Sequence, residues 1–192
     1  MKQFFYTLLA MLLSLNLQAQ YSGDYTVGPQ SSDDFNSVQE AVDSLHANGI
    51  NAPVNLLLKN TTFNEQVKIK SIPGSSGQNK LTITSLNTNQ PATISYNAPT
   101  SAKNYIFQLD STKHVEIRDL VFQSSSVSYN RLIELKGASS VNIKNNDLIG
   151  KLVSSTSDDH ALVFSGGPTD TSVTIDSNNF INGSMGVYLS GN

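Results

Sequence analysis

Hydrophobic and polar positions follow three successive patterns along the chain. The first is a solid apolar run, Phe4–Leu15, behind a lone cation at Lys2 and ahead of the polar, small-residue stretch Asn16–Gln20. Such a run is too short to cross a bilayer core of about 30 Å as a helix. With its basic start and Ala19 at the exit, it predicts a secretory signal peptide over residues 1–19. The second pattern is helical. In FNSVQEAVDSLHANG, Val38, Ala41, Val42 and Leu45 recur at i, i+3, i+4 and i+7, which is one apolar stripe. Ser37 with Glu40 makes a capping box, Asp33 and Asp34 sit where a helix dipole favours negative charge, and Asn48-Gly49 supplies a stop. A helix over 37–47 is expected, inside an N-terminal cap segment spanning 20–53.

From Pro53 onward the period changes to two. VNLLLKN, EQVKIK, NKLTITS and PATISY alternate apolar with polar residues, separated by turn formers such as Ile72-Pro73-Gly74-Ser75-Ser76-Gly77. Then a repeat emerges. HVEIRDLVF, SVNIKNNDL and SVTIDSNNF share Val-x-Ile-x4-(Phe or Leu), with Val115, Val141 and Val173, then Ile117, Ile143 and Ile175, then Phe122, Leu148 and Phe180 at matching places. An apolar pair precedes each: Phe107/Leu109, Ile133/Leu135 and Leu162/Phe164, with a fourth copy opening at Val187/Leu189. A period of about 25–32 residues without helical stripes or dense leucines leaves a coil of short strands stacked roughly 4.8 Å apart. Val115, Val141 and Val173 then form one interior column, and Ile117, Ile143 and Ile175 another. Asn146 and Asn178 share a turn position, where stacked amides can bond along a ladder. Outside, Asp110 is expected over Lys136, and Arg118, Lys144 and Asp176 in one column.

Composition adds exclusions. The net charge is −3, and removal of the signal's lysine makes it more negative still, so nucleic acid and anionic membrane are poor partners. Cysteine is absent, which rules out disulfides, thiolate metal sites and a lipid-modified cysteine. No second apolar stretch approaches spanning length, so no membrane association is expected once the signal is cleaved. Few charges and abundant Ser, Thr and Asn suit an all-β extracellular protein.

The entry segment DDFNSVQEAVDSL, the stretch GINAPVNLLLKNTTFNEQVKIKSIPGSSGQNKLTITS and rungs of the VNIKNND type resemble the secreted right-handed parallel β-helix proteins of the pectin-lyase-like superfamily, in the form common in Bacteroidetes-type bacteria. The resemblance covers nearly the whole mature chain. It implies an all-β, right-handed parallel β-helix solenoid over 54–192, with the short α-helix capping its first coil. The fold hosts lyases, hydrolases, isomerases and adhesins alike, so it implies no single activity. Many relatives continue into a C-terminal sorting domain. Here the sequence stops at Gly191-Asn192 inside a rung, and the reading is of a fragment whose coil continues.

Candidate chemistry is sparse. Polysaccharide lyases of this fold use calcium-binding acids with an Arg or Lys base, and hydrolases use spaced carboxylates. The best candidate here is Ser157-Asp158-Asp159-His160, where Asp158, Asp159 and His160 form a weak ligand-binding constellation. The glycine-flanked histidine and Arg-x-Lys element that accompany such aspartates in the hydrolases are missing, and two acids are too few for calcium. His46 and His114 have structural explanations. Tyr96, Tyr105, Tyr129 and Tyr188 share no evident register for sugar stacking. No catalytic set, metal site or cofactor is expected. Two readings remain: a secreted or cell-surface β-helix without a catalytic set that displays, adheres or binds glycan, and the N-terminal part of a polysaccharide lyase or glycoside hydrolase whose catalytic rungs lie beyond residue 192.

Overall fold

The computed structural model describes residues 19–167 and 169–190. The expected signal peptide, apart from Ala19, lies outside the described residues, as do Gly191 and Asn192. Strand β1 (Tyr21–Val27) leads into helix α1 (Val38–Asn48), and trios of strands follow. They are β2 (Ile50–Leu58), β3 (Thr62–Phe63) and β4 (Val67–Ile69), then β5 (Leu81–Ser85), β6 (Thr93–Ser95) and β7 (Phe107–Asp110). Next come β8 (Lys113–Arg118), β9 (Val121–Gln123) and β10 (Ile133–Lys136), then β11 (Ser139–Lys144), β12 (Asp147–Ile149) and β13 (Ala161–Ser165). The last trio is β14 (Thr171–Asp176), β15 (Asn179–Ile181) and β16 (Met185–Leu189). Each trio visits three sheets in the same order: β1-β2-β5-β8-β11-β14, β3-β6-β9-β12-β15 and β4-β7-β10-β13-β16. Every strand pairing is parallel. The described residues are all-β, three parallel sheets with one α-helix.

Register follows the interior columns. In the six-stranded sheet Val54, Leu81, Val115, Val141 and Val173 align, and beside them Leu56, Ile83, Ile117, Ile143 and Ile175. The β3–β15 sheet contributes Phe63, Ile94, Phe122, Leu148 and Phe180. The β4–β16 sheet contributes Val67, Phe107, Ile133, Val163 and Val187. Phe107 and Phe122 meet edge-on across the interior at 5.0 Å, so these two sheets share one core. Each fully buried aliphatic contributes roughly 1.5–3 kcal/mol. In the last trio the columns are less covered: Val173, Ile175 and Phe180 are half-buried and Val187 is exposed.

The turn between the first and second strand of each later trio repeats too. Asp119, Asn145 and Ser177 hold left-handed φ values of 56, 54 and 54°. The next residue carries the ladder. Asn146 Oδ1 accepts from Leu120 N–H at 3.1 Å, and Asn178 Oδ1 accepts from Asn146 N–H at 3.0 Å. Asn146 Nδ2 donates to Asn178 Oδ1 at 2.9 Å and to Ile117 O at 3.1 Å, and Asn178 Nδ2 repeats the second bond to Ile143 O at 2.8 Å. Each amide thus satisfies backbone groups of the trio before it.

Helix α1 begins where the capping pattern predicts. Ser37 Oγ accepts from Glu40 N–H at 3.1 Å while Glu40 Oε2 accepts from Asn36 N–H at 2.8 Å. A distant carboxylate, Glu65, takes the next two amides, Val38 and Gln39, at 2.9 and 3.0 Å. Gly49, at φ 75°, ends the helix. Val38, Ala41, Val42 and Leu45 are fully buried against β1, β2 and β4. Among the described residues no helix is long and apolar enough to cross a membrane.

Two expectations are corrected. The pair preceding the third repeat is Val163/Ser165, which pairs with Ile133/Leu135; Leu162 and Phe164 lie one residue out of phase, and Phe164 pairs with Glu134 on the outer face. Ala161–Phe164 is continuously apolar, so period two could not be read from it. Pro53 lies inside β2 rather than before it: pairing of β2 with β5 starts only at Val54, so its missing N–H breaks no bond of that pair. The 20–53 segment, besides the helix, also supplies β1, an edge strand of the six-stranded sheet.

Candidate functional site

The outer face of the β4–β16 sheet carries a row with one side chain per strand at a common register: Lys68, Gln108, Glu134, Phe164 and Tyr188. Alternation puts them there, because their neighbours Val67, Phe107, Ile133 and Val163 are fully buried on the other face. Gln108 Nε2 donates to Glu134 Oε2 at 2.5 Å. Phe164 and Tyr188 lie nearly parallel, 5° apart with centroids at 5.4 Å. Tyr188 thus shares a register with another aromatic ring, a phenylalanine, which a comparison of the tyrosines alone did not reveal.

Arg131, just before β10, sits over the Phe164 ring at 3.4 Å. Its Nη1 lies 3.4 Å from Glu134 Oε1, and its Nη2 lies 3.4 and 3.5 Å from Asp158 Oδ2 and Asp159 Oδ1. Its Nε donates to the Asp158 carbonyl at 3.1 Å. A cation over a ring face, fixed by carboxylates, anchors the aromatic stack. Gly166 permits the ring's position, since a Cβ there would meet Phe164 Cε1 at 2.8 Å. A cleft of about 240 Å³ opens beside it, lined by Glu134, Lys136, Phe164, Thr169 and Asp170.

At the opposite end of the face Asp110 pairs with Lys68 at 2.6 Å and more loosely with Lys136 at 3.9 Å. The Lys68 ammonium holds the Asp110 carboxyl below its ordinary range, against the opposing effect of burial. Burial raises the neighbouring Tyr105 phenol.

The aspartates and histidine singled out in the sequence separate here. Asp158 and Asp159 face Arg131, and Asp159 Oδ1 also accepts from Asn104 Nδ2 at 3.2 Å. His160, only 6% exposed, stands three residues ahead of Val163, as the buried Asn104 and Asn130 stand ahead of Phe107 and Ile133. It belongs to a buried corner stack and not to a surface constellation with the two carboxylates. Among the described residues no group of His, Cys, Asp or Glu is placed to hold a metal ion.

The six-stranded sheet carries a larger cleft of about 320 Å³, lined by Lys80, His114, Glu116, Ser140, Asn142 and Ser172. Arg118 and Lys144 share a register, with Asp176 next in the column. They grip Glu116 at 3.1 and 3.0 Å. That cleft has no aromatic wall. Val115, Ile117, Val141, Ile143, Val173, Ile175, Asn146 and Asn178 occupy the columns and ladder described above, and of them only Val115 borders either cleft, the larger one. Compared with protein-family models, curated proteins and solved structures, the chain matches none.

Sequence reasoning missed Arg131, Glu134, Gln108 and Phe164. One signal was available: an apolar residue at an outward register position, which the phase error at Leu162/Phe164 concealed.

Proposed function

We propose that this is a secreted or cell-surface protein, a right-handed parallel β-helix that binds glycan on the outer face of its β4–β16 sheet. The basic start and apolar run before Ala19 support export. Trios that return to the same sheets in fixed order support a solenoid, and crossovers between parallel strands are right-handed in about 98% of cases. The observation that carries the binding reading is the aligned row Lys68–Gln108–Glu134–Phe164–Tyr188, which places hydrogen-bonding side chains next to a stacked aromatic pair. A sugar ring offers one apolar face and a rim of hydroxyls, and a row that runs from the half-exposed Tyr188 past Phe164 to the Glu134 carboxylate matches both.

Affinity electrophoresis of the purified protein through gels holding a panel of polysaccharides tests this. At least one glycan is expected to retard it, and Tyr188→Ala is expected to weaken that retention about tenfold, since lost stacking of roughly 1 kcal/mol or more approaches a decade in affinity. Equal mobility in every gel would overturn the reading.

A further inference from the structure

We propose that the aromatic end of this face selects its glycan by charge, accepting amine-bearing sugars and rejecting uronic acids and sulfated sugars; the inference rests on the glycan-binding reading above. Around the stacked rings one guanidinium meets three carboxylates, Glu134, Asp158 and Asp159. That guanidinium is also committed: one face lies on Phe164 at 3.4 Å, and its Nε is bonded to the Asp158 carbonyl. Exposure decides what a ligand meets. The Arg131 side chain is 11% exposed, whereas Asp158 and Asp159 are 39% and 33% exposed. The cation is covered and the anions look outward.

Nearby groups do not reverse this. Asp170, in the adjoining cleft, is held by neutral donors, Ala138 N–H at 2.6 Å and the Ser165 hydroxyl at 2.5 Å. Lys68 is engaged with Asp110 at the far end of the row, whereas Lys136, 65% exposed and only 3.9 Å from Asp110, lines the adjoining cleft together with Glu134 and Asp170, where the carboxylates still outnumber it. Lys103 and Lys151, on flanking loops, form no ion pair with these carboxylates among the described residues. The face is therefore balanced at its Lys68 end and anionic at its Tyr188 end. An ammonium group is attracted there twice, by the carboxylates and by the electron-rich ring. A uronate carboxylate meets more like charge there than cation.

The test titrates the full protein, by calorimetry, with chitosan oligosaccharide, the N-acetylated oligosaccharide of equal length and oligogalacturonate, at low and at high salt. At low salt the aminated chain is expected to bind about tenfold more tightly than the acetylated one, and the uronate at least tenfold more weakly. Near 1 M salt, where the Debye length is about 3 Å, these ratios are expected to collapse towards one. Asp158→Asn is expected to narrow the amine-to-uronate ratio at low salt. Oligogalacturonate binding as tightly as chitosan, or ratios that ignore salt, would overturn charge selection while leaving glycan binding in place. Binding of none of the three, together with no retention on the polysaccharide panel, would remove the glycan-binding reading and this inference with it.

Discussion

Asn146 shows how one side chain serves two strand trios. It is buried, and its carboxamide accepts from Leu120 N–H while donating to Ile117 O and Asn178 Oδ1. Replacement by alanine strands the buried Leu120 amide, at a cost of about 1–3 kcal/mol. Asn178 occupies the equivalent place but is half-buried, so water reaches the groups it leaves, and its alanine variant is expected to lose under about 1 kcal/mol. Urea unfolding of the two variants checks the order; equal losses would mean that the ladder does not act through burial. The columns through Val115 and Ile117 and the ladder position were legible in the sequence because identical residues recur at identical spacing. Phe164 was not, because inward Val163 and outward Phe164 are both apolar and alternation carries no information there. Arg131 and Asp158 meet only through the stacking of successive trios, and nothing local couples them.

At the scale of elements, α1 was the most legible piece, since its stripe, cap and stop are all local. What it packs against was not. Glu65 caps the helix from the β3–β4 connection, and His46 near the helix end contacts the strand trio through Lys70, whose N–H lies 2.9 Å from its Nε2. Accepting that hydrogen requires an unprotonated Nε2. Burial lowers the His46 pKa, opposed by the Lys70 carbonyl and Asp43. Below the unfolded value of about 6.5 the unfolded chain therefore takes up a proton that the folded chain resists, and stability falls as pH drops towards the folded value. Asp33, Asp34 and Asp110, all held below their ordinary range by hydrogen bonds, with Lys59, Thr26 and Lys68 respectively as the leading partners, extend the loss below about pH 4. Chemical denaturation between pH 7.5 and 5 is expected to show declining stability in the native chain and a flatter profile in His46→Gln. A midpoint that rises on acidification would contradict this sign. Strand β1 escaped the sequence reading for a different reason: Gly23 and Asp24 interrupt its alternation, and the Leu56–Ile83 column is headed there by an aromatic residue, Tyr25, which clusters with Tyr21 and Phe35.

For the whole molecule, every trio adds a strand to each of three parallel sheets, so any residue pattern repeated in the sequence becomes a line of side chains in space. Inward lines make the core. Outward lines make surfaces whose chemistry is free to vary, and two of them carry clefts: a charge-locked one over the six-stranded sheet and the aromatic-ended one on the β4–β16 sheet. The all-β class and the inward columns were readable from period and repeat, whereas the site depends on which outward line breaks the polar rule. The most direct measurement is an NMR titration of the labelled protein with the glycan that retards it best. The account predicts shifts that concentrate on the amides of Gln108, Glu134, Phe164 and Tyr188 and on the Arg131 side chain, with Glu116, Asn142 and Thr174 on the six-stranded face unmoved. Shifts centred on that second face, with the Phe164–Tyr188 stack unperturbed, would contradict it.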